Sequence, residues 1–214
     1  MRWKKISDAV VRRLPLYLRV LNELIQDAPE KRSISSQELG DRAGFSPALV
    51  RKDLAWFGEF GKQGVGYEVA YLQQELRHIL NLDQDIGVGL VGVGQLGRAL
   101  TRYHHERMVQ EKDFRLNLRA LFDNDPSKVG QEFDGLPIMP LAALPEQVER
   151  QRLEMMIITV PASQAQEVTD VVTSCGIKAI LNFAPTKLNV PLDVNLSNAD
   201  VMLELQRLAY YLQN

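Results

Sequence analysis

The sequence predicts an α/β protein. A small, mainly helical domain comes first, then a parallel sheet covered by helices, then an amphipathic terminal helix. Three observations predict this. Apolar residues recur at helical spacing over the first 80 positions, interrupted once by four glycines from Gly58 to Gly66. Beyond about residue 82, short β-rich runs alternate with amphipathic stretches, the pattern of a parallel sheet. The first of these runs ends in G-x-G-x-x-G, Gly92 to Gly97. The expected domains are residues 1–82 and 83–198, with a helix over 199–214.

In the first domain, Leu14, Tyr17, Leu18, Leu21, Leu24 and Ile25 make one face of a helix over about 8 to 27. Ser35-Ser36-Gln37-Glu38 is a capping box that opens a second helix, ending near Ala43-Gly44. Ser46-Pro47 opens a third, with Ser as cap and Pro at the first helical position, and it runs to about Phe57. The glycine-rich stretch Gly58 to Tyr67 suits a turn between two short strands. Three helices followed by such a hairpin outline a winged helix-turn-helix domain. A fourth helix is expected from about Tyr71 to Leu82.

On the third helix, Val50, Leu54 and Phe57 share an inward face, while Ala48, Lys52 and Ala55 lie opposite with Arg51 and Trp56 beside them. Small residues with a lysine on the outer face suit a major groove. Arg51 and Lys52 are placed to meet phosphates or guanine edges. Alone, this pair reads as a solvated face; the Ser-capped helix before it and the wing after it point to DNA. Lys62 at the wing tip can reach a minor groove or a phosphate. The candidate DNA-binding residues are Ser46, Arg51, Lys52 and Lys62.

The second domain opens on the buried strand Ile86 to Val91, with further strands expected at 116–122, 155–160 and 177–182. The glycine motif between a strand and a helix pattern reads as a dinucleotide turn of a Rossmann-like domain. Gly92 makes the tight turn, Gly94 lets backbone approach a pyrophosphate, and Gly97 lets helix and strand pack closely. The phosphates then sit on the helix N-terminus. Asp123 ends the second strand, where an acid binds the adenine ribose hydroxyls and repels a 2′-phosphate, favouring NAD over NADP. It lies 26 residues beyond Gly97, against about 20 in the general pattern, which a longer first helix absorbs. The alternatives are a plain βα turn and an Asp123 that only caps the turn before Pro126. The candidate cofactor residues are Gly92, Val93, Gly94, Gln95, Leu96, Gly97 and Asp123. Leu203, Leu205, Leu208, Tyr211 and Leu212 then mark the terminal amphipathic helix.

Composition and charge bound the function. The chain has 214 residues, with 45% hydrophobic and 24% charged, which excludes disordered and collagen-like classes. Its one cysteine excludes an internal disulfide and fits a reducing cytosol. No apolar signal core follows Met1, and the uncharged run Ile86 to Gly97 is shorter than the roughly 20 residues of a membrane span. A soluble, cytoplasmic protein without a membrane partner is expected. Residues 1–80 carry 13 basic and 10 acidic residues (+3), and residues 81–214 carry 12 and 17 (−5), summing to −2. A basic first part hints at a polyanionic partner.

Catalysis is not expected. Hydride transfer needs an acid or base near the substrate carbon. His104 and His105 are adjacent and diverge, His78 precedes the cofactor domain, and no Tyr-x-x-x-Lys pair occurs. Cys175 reads as a small buried hydrophobe. Residues 83–214 leave little chain for a substrate domain. No catalytic residue and no metal site are assigned.

Val50-Arg51-Lys52-Asp53-Leu54, the run Phe57 to Tyr67, Gly92 to Gly97 and Leu181-Asn182-Phe183-Ala184-Pro185 together resemble the Rex family of bacterial redox-sensing repressors, in order and over nearly the whole chain. The resemblance implies a homodimer that binds a pseudo-palindromic operator in double-stranded DNA. By the same resemblance, NADH binding is expected to release the DNA, with NAD+ competing for the same site. It also implies that the C-terminal helix is exchanged between subunits, and that Arg19, Tyr103 and Asp200 form a state-dependent network. Two positions depart from the pattern: Ala48-Leu49 precedes Val50 where many members have Gln, and Val201 follows Asp200 where some have Phe. The expected function is an NADH-responsive repressor. The alternatives are an NAD-dependent oxidoreductase whose N-terminal domain dimerises it, and a DNA-binding sensor of another adenine nucleotide such as coenzyme A.

Overall fold

A computed structural model describes residues 6–62, 64–111 and 114–213. The chain forms two compact units, Met1–Gln84 and Asp85–Asn214.

The first unit runs α1 (Asp8–Val11), α2 (Leu14–Asp27), β1 (Ser33–Ile34), α3 (Ser36–Ala43), α4 (Pro47–Ala55), β2 (Gly61–Lys62), β3 (Gly66–Glu68) and α5 (Val69–Ile79). The single helix expected over 8–27 is split in two. Pro15 has no N–H for the Val11 carbonyl, and its ring crowds that oxygen, so the ladder breaks while the apolar spacing continues. Tyr17, Leu21, Leu39, Val50, Leu54 and Leu72 fill the core.

Three short strands pair antiparallel in the order β1-β3-β2, forming the wing. Two residues are too few to show a period, so β1 has no signal in the sequence. The capping box forms only in part. Ser35 Oγ accepts from Glu38 N at 3.1 Å, but the Glu38 carboxylate pairs with Lys31 at 2.5 Å and Arg42 at 3.1 Å. Two nearby cations outcompete a neutral backbone amide. The last helix also lies earlier than expected. Val69 N donates to Arg32 O at 3.0 Å, so β3 leads directly into α5, and Asn81 at φ 58° follows its end.

The second unit holds β4 (Ile86–Val91), α6 (Gln95–Gln110), β5 (Leu116–Phe122), β6 (Glu132–Phe133), β7 (Leu136–Met139), α7 (Leu144–Arg150), β8 (Leu153–Ile158), α8 (Ala162–Ser174), β9 (Ala179–Asn182), β10 (Asn195–Asn198) and α9 (Val201–Ala209). The sheet order is β10-β9-β8-β4-β5-β7-β6, parallel except for β6 against β7. Every residue of β4 is buried, as a strand covered on both faces requires.

Expected strands 116–122 and 86–91 coincide with β5 and β4. The strand expected at 155–160 lies two residues earlier, because buried Leu153 already pairs with Gly87. The strand expected at 177–182 starts only at Ala179. After β4 the chain crosses to β5 on one side and returns to β8 on the other. This switch point opens a crevice at the carboxyl ends of the strands. α6 spans 16 residues, which accounts for the long spacing to Asp123. Among the described residues, no helix is long and apolar enough to cross a membrane, and no metal-ligating cluster occurs.

Candidate nucleotide cleft and nucleic-acid surface

The cleft is built by three glycines with different duties. Gly92 turns the chain after β4 at φ 102°, where side chains rarely go. A Cβ on Gly97 would lie 2.1 Å from Gly92 O, so only glycine lets α6 pack this closely on the strand end. A Cβ on Gly94 would meet nothing within 4 Å. The space beside Gly94 is therefore open, and α6, which it precedes, has no side-chain cap. Free N–H groups and the helix dipole there suit an anion.

Around this point lies a cleft of about 670 Å³. Gly92, Gly94, Gln95, Leu96 and Asp123 line it; Val93 and Gly97 do not. Val93 is buried in the core, and its N–H donates to Asp123 Oδ2 at 2.8 Å. Asp123 also accepts from Asp125 N at 2.9 Å and from Lys128 Nζ at 2.9 Å. Burial pushes the Asp123 carboxyl up, but these three donors outweigh it and hold it below the usual carboxylate range.

The opposite wall carries Thr159, Pro161, Gln164, Phe183 and Pro185, none of them among the expected cofactor residues. The Thr159 hydroxyl lies 3.0 Å from Val91 O and 2.8 Å from Gly92 O, joining the end of β8 to the glycine turn. Phe183 and Pro185 follow β9. Their place just beyond the carboxyl end of a parallel strand is the signal that could have found them. Buried Asn182 shapes that loop by donating to Ala184 O at 3.0 Å and accepting from Ala184 N at 2.9 Å.

In the first unit, Ser46 caps α4 by accepting from Leu49 N at 3.3 Å. Val50 and Leu54 are buried, whereas Ala48, Arg51, Lys52 and Ala55 are exposed. Arg51 Nη1 donates to Ser36 Oγ at 2.8 Å, which draws it toward the start of α3. Among the described residues Lys52 has no such partner, and Lys62 is exposed on β2.

Asp53, unassigned from sequence, is buried on α4. It accepts from Arg13 Nε at 2.5 Å, Arg13 Nη2 at 2.7 Å and Tyr17 OH at 2.8 Å. These bonds pin α4 to α2. The Asp53 hydrogen bond pushes the Arg13 pKa up, and burial followed by the same carboxylate pushes Tyr17 up. The signal in the sequence is a carboxylate three residues from Val50 on the inward face.

Of the remaining three candidates, Arg19 is exposed and pairs with Glu23 at 3.8 Å. Tyr103 is 60% exposed on α6. Asp200 caps α9, its Oδ1 accepting from Met202 N at 2.9 Å and Leu203 N at 3.3 Å. No hydrogen bond joins Tyr103 to Asp200 among the described residues. α9 buries no residue, leaving Val201, Met202, Leu203, Leu205 and Leu208 exposed.

Residues 83–186 match a family described as a CoA binding domain, and residues 5–55 match one described as a DNA-binding protein N-terminus. A redox-sensing transcriptional repressor Rex of Brevibacillus brevis is 49% identical over 209 residues, covering 98% of each chain. The structure of RSP in complex with β-NAD+ and operator DNA superposes with a TM-score of 0.86 at 36% identity, covering 97% of this chain and 92% of that one. RSP in complex with β-NADH gives 0.83 at 33% identity, covering 98% and 95%. With such identity along almost its entire length, the chain belongs to the Rex family of redox-sensing transcriptional repressors.

Proposed function

We propose that this chain is a transcriptional repressor that reads the NADH/NAD+ ratio, holding operator DNA with its first unit and releasing it on binding NADH in its second. One observation carries the reading. The open space at Gly94, beside an uncapped helix start and facing the Asp123 carboxylate, fits the pyrophosphate and ribose of a dinucleotide. The same chain presents a Ser-capped helix with exposed Arg51 and Lys52, and a wing with Lys62. Backbone at Gly92, Gly94, Gln95 and Leu96 holds the phosphates, and Asp123 holds the adenine ribose. Ser46, Arg51, Lys52 and Lys62 meet the DNA.

A homodimer is part of the reading. Among the described residues of its own chain nothing covers the apolar face of α9, and a second copy supplies that cover by exchanging helices over residues 199–214. Two recognition helices are then held at the spacing of a pseudo-palindromic operator. The switch requires two conformations that bind NADH with different affinity. Asp200, at the base of α9, alternates between Tyr103 and Arg19 as partners, since both can donate to one carboxylate. The protein works in the cytoplasm, where operator and dinucleotide are both at hand.

The test is operator affinity titrated separately with NADH, NAD+ and coenzyme A, the last because of the matched domain family. NADH should lower the affinity, and NAD+ should oppose that loss by competition. Steady NADH turnover with a carbonyl substrate would instead identify an oxidoreductase.

A further inference from the structure

The carboxylate at the ribose end of the cleft is paired with a cation. Lys128 Nζ lies 2.9 Å from Asp123 Oδ2 and 3.6 Å from Asp125 Oδ2, and all three residues line the cleft. The Lys128 side chain is 27% exposed, so its ammonium is reachable from solvent. With bonds from Val93, Asp125 and Lys128, Asp123 has filled three of its roughly four acceptor positions. Asp125 is the looser partner. It is more exposed, and its Oδ1 is engaged by the amide and hydroxyl of Ser127.

We propose that Lys128 is a second specificity residue of the cleft: a cation suited to a ribose 2′-phosphate, kept from that role by Asp123. The proposal rests on the NADH reading and deepens it. Two carboxylates and one ammonium leave a net charge of −1 beside the ribose, which repels a phosphate dianion. Neutralising Asp123 removes the closer carboxylate and frees an ammonium with three donors. The site is thus one charge away from accepting NADPH. The turn does not depend on the lysine side chain, because Lys128 N and Val129 N both donate to Asp125 O, at 2.9 and 3.1 Å.

The experiment measures NADH and NADPH dissociation constants by calorimetry for the full-length wild type, Asp123→Asn, Lys128→Met and the double variant. Asp123→Asn should improve NADPH binding relative to NADH by about tenfold or more, the scale of one charge-assisted hydrogen bond. The double variant should lose that gain, and Lys128→Met alone should shift the ratio further toward NADH. Asp123→Ser serves as the same test if Asp123→Asn does not fold. A gain that survives in the double variant, or no gain in a variant that still binds NADH, overturns the role of Lys128 alone. A wild type that binds neither nucleotide overturns the NADH reading and this inference with it.

Discussion

Asn182 donates its side-chain amide to Asn198 Oδ1 at 2.9 Å. This bond ties the end of β9, whose loop carries Phe183 and Pro185 into the cleft, to the end of β10. Asp200, the cap of α9, stands two residues further on. The cleft wall and the base of the terminal helix are therefore linked by one buried side chain. Asn182→Ala is expected to cost about 1–3 kcal/mol of stability, the usual result of leaving buried polar partners unmet. Urea unfolding measures it. A midpoint equal to wild type would show that water replaces these bonds without penalty.

Lys52 projects from α4 with no hydrogen-bond or ionic partner among the described residues, so Lys52→Ala should leave the melting temperature unchanged and weaken operator binding. The salt dependence should fall by about one unit of slope for each phosphate that the variant no longer neutralises. Arg51→Ala should do the same and also remove the bond to Ser36. Equal affinity and slope in both variants would place the DNA on another face.

Gly94→Val should fold like wild type, since a Cβ there meets nothing within 4 Å. It should abolish NADH binding, because the side chain fills the space where backbone meets pyrophosphate. Operator binding should persist and no longer respond to NADH. Calorimetry showing normal NADH affinity would refute the assignment of this cleft.

Asp200 has a structural duty that complicates the obvious substitution. Asp200→Ala removes the cap of α9, costing about 1 kcal/mol of helix stability. Asp200→Asn keeps a side-chain acceptor and removes only the charge. Asp200→Asn and Tyr103→Phe should retain NADH binding and shrink the ratio of operator affinities without and with NADH. Coupling energies are typically about 1–3 kcal/mol, so the loss is measurable. Wild-type ratios in both variants would dismiss the network and leave the sensor intact.

His104 packs edge-on against Phe114 and bonds the Leu116 carbonyl. Burial holds its pKa below 6.5, with the Leu116 bond opposing and neighbouring His105 assisting. A depressed histidine pKa means that the unfolded chain takes up the proton first as pH falls. Stability is thus fully present above about pH 6.5 and is lost as pH drops from there toward the folded value. Urea midpoints across that range should decline in wild type and flatten in His104→Gln. Parallel curves would assign the decline to other groups.

Much of the molecule follows from short-range rules. Ser46 before Pro47, glycines spaced along Gly92 to Gly97 and buried β4 each depend on neighbours a few residues away, so each is legible in sequence. Pro15 is a local signal too, but the apolar spacing runs through it unchanged and hides the break between α1 and α2. Asp123 is legible at the end of β5, yet its partners Val93 and Lys128 are not.

By itself, then, the sequence determined the two kinds of domain, the glycine turn and the exposed cationic face of α4. These depend on backbone sterics, capping and helical or strand period, which act over a turn or two. Only the tertiary structure decided that Asp53 is clasped by Arg13 from 40 residues away, that Thr159 closes onto Gly92, and that Phe183 joins Asp123 around one cleft. Those meetings depend on the Arg13 and Tyr17 side chains reaching across to α4 and on β9, β8, β4 and β5 lying side by side. A contact set by strand order leaves no periodic trace in either segment, because the burial that rewards it is realised only when both are in place.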